Sequence, residues 1–74
     1  MPIAFTGRRH ILGTNIRKVR LERDFSQRDL SDISSVAQSY LAEVELGRRS
    51  VGFDKLCQIA DALEVTVEEL VSGC

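Results

Sequence analysis

The 25 residues from Phe25 to Arg49, FSQRDLSDISSVAQSYLAEVELGRR, constrain this chain more than any other stretch. They carry two helix signals separated by only a few residues. Ser26 can offer its hydroxyl to the orphan N–H groups of a first turn. Asp29, three residues on, can reach back to the Ser26 N–H, a close variant of the capping box. Leu30 and Ile33 stand three apart and are predicted to share the apolar face of this short helix. Ser34-Ser35-Val36 then breaks the pattern, with Val36 anchoring the turn. A second helix is predicted from Ala37 to Leu46, where Leu41 and Val44, with Tyr40 beside them, fall at helical spacing. Gly47 is its natural C-terminal stop.

Two short helices about a tight turn have the patterning of a helix-turn-helix, whose second helix can enter a DNA major groove. The second helix leaves Gln38, Ser39, Ala42 and Glu43 on its other face. Short polar side chains of this kind can present paired donors and acceptors to base edges. Periodicity taken alone favours an ordinary helical hairpin with a solvated face. The succession of particular residues along the segment shifts that balance.

Ser26, Gln27, Leu30, Val36, Tyr40, Leu41, Val44, Glu45, Gly47 and Arg49 stand in the order and chemistry of the Cro and phage-repressor type of helix-turn-helix domain, which this segment resembles. The later run LCQIADALEVTVEEL is similar to the fourth and fifth helices of that family, so the resemblance covers residues 8–72. The run SYLAEVELGRRSVGF looks most like the controller proteins of restriction–modification systems, and small phage repressors are similar too. The chain departs from the family pattern at four places. Ser35 stands where a left-handed Gly is usual, Ser31 replaces Ala, Asp24 replaces the Gly that ends the first helix, and Ala37 replaces a Ser or Thr cap. The missing cap is expected to cost roughly 1 kcal/mol of local stability. Ser35 and Asp24 are expected to strain the turn geometry rather than the fold.

With 74 residues there is room for one domain and one small core. Residues 1–7 are predicted to form a flexible arm, 8–72 the domain and 73–74 a tail. A first helix is expected from Arg8 to Arg23 with Leu12, Ile16 and Val19 on one face. A fourth should run from Phe53 to Leu63, with Phe53, Leu56, Ile59, Ala60 and Leu63 facing the core. Thr66 and Glu69 read as a capping box opening a last short helix that ends near Val71. Apolar alternation is confined to Glu64–Val67, so no long strand is expected. The fold class is therefore all-α: a five-helix, phage-repressor-like DNA-binding domain with the helix-turn-helix made by helices 2 and 3. No apolar run approaches membrane-spanning length and residues 1–13 hold no secretion signal, so a cytoplasmic location is expected.

Charge is distributed more tellingly than its sum of −1 suggests. Residues 1–24 carry six basic against two acidic side chains, net +4, and residues 25–49 three against four, net −1. Residues 50–74 carry Lys55 against five acids, net −4, and should face away from phosphate. Nonspecific affinity should be weak, leaving specificity to shape and base contacts. Cys57 reads as a buried thiol and Cys74 as a terminal one, and nothing supplies the cationic neighbours that activate a thiol. His10 is the single histidine, and no cluster has metal-ligand spacing. No cofactor, metal, small-molecule ligand or membrane partner is expected, and no nucleophile–base or paired-acid arrangement points to an enzyme.

Under the resemblance, Gln38, Ser39 and Glu43 would meet base edges. Gln suits adenine, Glu a cytosine amino group, and Ser is permissive. Gln27, Tyr40, Arg48 and Arg49 would meet the backbone, extended by Arg17 and Lys18, which fit solvated helix charges equally well. The family also pairs an Arg late in helix 1 with the Glu closing helix 3, here Arg20 and Glu45. Val65, Val67, Leu70 and Val71 offer more apolar surface than a short last helix can bury alone, and are assigned to a homodimer interface. The expected function is sequence-specific regulation of transcription from palindromic operators in double-stranded DNA, by activation or repression. Two alternatives remain: an antitoxin-type autorepressor with a toxin partner, or a protein-interaction module that has lost DNA binding.

Overall fold

Helical spacing of the apolar residues organises the chain into five helices in a computed structural model that describes residues 5–74, with side chains from Gly7 onward. They are α1 (Phe5–Glu22), α2 (Gln27–Ser34), α3 (Gln38–Glu45), α4 (Phe53–Leu63) and α5 (Val67–Leu70). No strand occurs among the described residues. The first helix starts three residues before the predicted Arg8, so Phe5–Gly7 belong to it, and residues 1–4 of the expected arm lie outside the described residues.

The core is made by Ile16 from α1, Leu30 from α2, Val36 from the turn, Leu41 and Val44 from α3, Leu56, Ile59, Ala60 and Leu63 from α4, and Leu70 from α5. Each large aliphatic side chain so buried stabilises the fold by about 1.5–3 kcal/mol before ordering costs. Leu12 and Val19 pack at its edge. Two expected core residues are outside it. Ile33 is 53% exposed, because the i, i+4 pair Leu30 and Ser34 sets the buried face of α2 and turns Ile33 away. Phe53 is 71% exposed, the first residue of a helix whose buried stripe begins one turn later at Leu56. Cys57 is half-buried rather than buried.

Local chemistry explains the boundaries. The Ser26 Oγ accepts from the Asp29 N–H at 3.0 Å while Asp29 Oδ2 accepts from the Ser26 N–H at 2.9 Å, closing the capping box. That backbone hydrogen bond, the Ser26 hydroxyl and the nearby Arg28 charge hold the Asp29 carboxyl below its ordinary value of 3.8. The tight turn is braced by serines: Ser31 Oγ donates to the Val36 carbonyl at 2.6 Å, and Ser34 Oγ accepts from the Val36 N–H at 3.2 Å. Ser31, a departure from the family's Ala, thus helps to fix the turn. Ser35 takes the left-handed conformation (φ 61°), as does Asp24 (φ 57°). Both are polar residues that tolerate it better than β-branched ones. For α5, Thr66 Oγ1 accepts from the Glu69 N–H at 3.1 Å.

The axis of the fold is the crossing of α1 over α3. A Cβ placed on Gly13 would collide with the carbonyl oxygens of Val44 and Glu45, the second at 2.7 Å, so only glycine lets the two backbones meet. Asn15 ties the other end of the chain to α1, its Nδ2 donating to the carbonyls of Leu70 at 2.9 Å and Ser72 at 2.8 Å.

Candidate nucleic-acid interface

One face of α3 is committed to the core and the other is free. Leu41, Val44 and Glu45 are buried, whereas Gln38, Ser39 and Glu43 are exposed. Ala42 is half-buried and lines an open cleft of about 650 Å³ between α1 and the motif, together with His10, Thr14, Arg17 and Leu46. The exposed polar side chains can therefore reach a surface pressed against α3 without disturbing its packing.

What holds α3 in place is a buried charge network. Arg20 Nε donates to Glu45 Oε2 at 2.8 Å and Arg20 Nη2 to Glu45 Oε1 at 3.0 Å, a bidentate pair. Arg20 Nη1 also donates to the Phe25 carbonyl at 2.7 Å. Both side chains are nearly inaccessible, with 9% and 4% of their surface exposed. Burial makes the pairing obligatory, because a lone charge in such a site would carry an uncompensated desolvation cost. One arginine thereby locks the end of α1, the loop before α2 and the end of α3 together.

Gln27 belongs partly to this network. It is half-buried, and its Nε2 donates to Glu45 Oε1 at 3.3 Å. The interaction orients a side chain otherwise assigned to phosphate. Arg17 and Lys18 are exposed on α1, Arg17 alone lining the same cleft as Gln27. Arg48 and Arg49 are exposed just past α3, beyond Gly47 in its left-handed conformation (φ 74°). A Cβ on Gly47 would approach the His10 Cα to 2.9 Å, so the chain leaves α3 tight against α1. Tyr40 is half-buried, and its hydroxyl donates to the Ser50 carbonyl at 3.4 Å. Sequence reasoning missed Lys55, whose Nζ lies 5.3 Å from the centre of the Tyr40 ring. Its only trace in the sequence is a lone positive charge among acids.

The residues assigned to a dimer interface divide. Leu70 is fully buried in its own core and has no side-chain surface to offer a second copy, a correction to its assignment. The half-turn at the end of α5, pinned by Asn15, turns it inward. Val65 and Val67 are half-buried at the core's edge and Val71 is 36% exposed.

Among the described residues no group of His, Cys, Asp and Glu could hold a metal ion, and no helix is long and apolar enough to cross a membrane.

Residues 16–70 match the helix-turn-helix family. The chain is 34% identical over 64 residues, 86% of its own length and 83% of the relative's, to the uncharacterized HTH-type transcriptional regulator y4dJ of Sinorhizobium fredii. It is 33% identical over 70 residues, 95% of its length and 83% of the relative's, to the control protein C.SmaI of Serratia marcescens. The solved structure of the restriction-modification controller protein C.AhdI from Aeromonas hydrophila superposes with a TM-score of 0.82 at 31% identity, covering 84% of this chain and 94% of that one.

Proposed function

The chain belongs to the helix-turn-helix family of transcriptional regulators, and on that premise we propose that it is a sequence-specific regulator of the restriction–modification controller type. It acts as a homodimer on a palindromic operator. The observation that carries this is the division of α3: a buried face locked by Arg20–Glu45, and an exposed face of Gln38, Ser39 and Glu43. Those three side chains read base edges in the major groove, and Gln27, Tyr40, Arg48 and Arg49, with Arg17 and Lys18, hold the backbone on either side. The family is one of transcription regulators rather than enzymes.

Dimerisation through Val65, Val67 and Val71 gives the twofold symmetry that a palindrome needs. Two recognition helices then lie about 34 Å apart, one turn of DNA. Selection of bound sequences from random duplex DNA tests the whole reading. The expected result is an inverted repeat with half-sites one helical turn apart. Recovery of no sequence preference, or sedimentation as a monomer at high micromolar concentration both free and on DNA, would remove it.

A further inference from the structure

The Tyr40 ring gathers two cations. The Arg49 guanidinium carbon lies 4.8 Å from the ring centre and Lys55 Nζ 5.3 Å from it, both inside cation–π range. Arg49 comes from the loop after α3 and Lys55 from the first turn of α4, so two separate elements converge on one aromatic side chain. Neither cation takes part in an ion pair among the described residues. Asp54 precedes Lys55, but successive helix residues point in different directions. The Tyr40 hydroxyl is engaged by the Ser50 carbonyl, so the ring is what this side chain offers its neighbours. Two like charges gathered at one ring repel each other, so an anion brought to either is attracted and relieves that repulsion.

We propose that Lys55 is a DNA-backbone contact, and that Tyr40 is the positioning residue that sets Lys55 and Arg49 side by side along the phosphates flanking α3. This rests on α3 being the helix that enters the major groove. Residues 50–74 are net −4, which hides Lys55 in any sum of charge. Its place on the Tyr40 ring, which Arg49 shares, ties it to the end of α3 rather than to its own segment alone.

The test is anisotropy titration of the full chain with two labelled duplexes, the one selected by the wild type and a scrambled copy, over a salt series. Lys55→Gln should weaken both duplexes alike, about fivefold per protomer near 0.15 M salt, and flatten the salt slope by about 0.9 for each phosphate it no longer neutralises. Preference between the duplexes should stay at the wild-type ratio. Tyr40→Leu, checked by its melting curve, should lose part of the slope. Lys55 is exposed, so Lys55→Gln remains informative even where Tyr40→Leu does not fold. A wild-type slope and affinity for Lys55→Gln would overturn the Lys55–phosphate contact while leaving the DNA-reading role of α3 standing. A folded Tyr40→Leu with a wild-type slope would overturn the positioning role. A wild type that binds neither duplex at any salt would overturn both the Lys55 role and the proposed function.

Discussion

The two helices of the motif are the same length, eight residues each, but are held by different means. α2 carries its own start signal, with the reciprocal Ser26–Asp29 hydrogen bonds closing its first turn and Ser35 ending it in the left-handed conformation. α3 begins at Ala37 with no side-chain cap. Its hold comes from afar: α1 backbone against it at Gly13, Arg20 gripping Glu45, and His10 close under Gly47. A helix with its own cap has its first turn fixed from within its own segment, whereas one stabilised by distant residues takes its orientation from the rest of the fold. For a surface that must match a groove, the second arrangement is the useful one. The orientation of Gln38 and Ser39 is set by Gly13, Arg20 and His10 rather than by a cap on their own helix.

The difference can be broken most severely at the ion pair. Arg20→Ala or Glu45→Ala leaves a buried charge without its partner and should cost about 3–5 kcal/mol. The double replacement should cost much less than the two singles together, because the pair is coupled. Urea melts of the four proteins measure this, and simple additivity would mean that Arg20 and Glu45 act separately.

Gly13→Ala should follow, at about 2 kcal/mol. Overpacking usually costs about 1–3 kcal/mol, and here the obstacles are main-chain carbonyls that cannot rotate away. Alanine's advantage over glycine inside a helix, about 1 kcal/mol, offsets only part of it. Base preference on DNA should change in this variant even at temperatures where it stays folded, since α3 must shift. Thermal melts together with binding to selected and scrambled duplexes separate the two effects.

Changes at the helix starts should be smaller and opposite in sign. Ser26→Ala removes a cap and should cost about 1 kcal/mol, while Ala37→Ser supplies one and should stabilise by up to a similar amount. The α2 cap also has a pH signature. The Asp29 carboxyl is held below 3.8, so its contribution is complete above the ordinary aspartate range and is lost as pH falls through the lowered value. Asp29→Asn should remove that part of the acid sensitivity in melts run from neutral to acid pH.

The same contrast explains what could be read from the sequence. The α2 cap and the Gly47 stop are local signals, each found where its residue type points, whereas the left-handed Ser35 and Asp24 are legible only through the glycines that the family carries there. The Arg20–Glu45 pair is legible only through the family resemblance, since nothing in spacing alone joins residues 25 apart. Gly13 gives no usable sign, because a glycine inside a helix registers as a small propensity cost until the partner backbone is known. Ile33 and Phe53 mislead because a short helix or a helix end offers too few apolar residues to define its buried face. Leu70 reads as a partner-facing residue because the wealth of apolar side chains near the C-terminus does not say which of them the domain's own core takes. Lys55 reaches Tyr40 only after α4 has packed, which no residue pattern encodes.

Gln38→Ala most directly tests the claim that α3 reads DNA while its neighbours hold it. Affinities for the selected operator, single-base variants of it and a scrambled duplex would be measured across a salt series. Preference should relax at one base pair per half-site, by roughly 1–3 kcal/mol of discrimination, while scrambled DNA is bound as before with an unchanged salt slope. Equal loss of affinity for operator and scrambled DNA, with base preference intact, would contradict it.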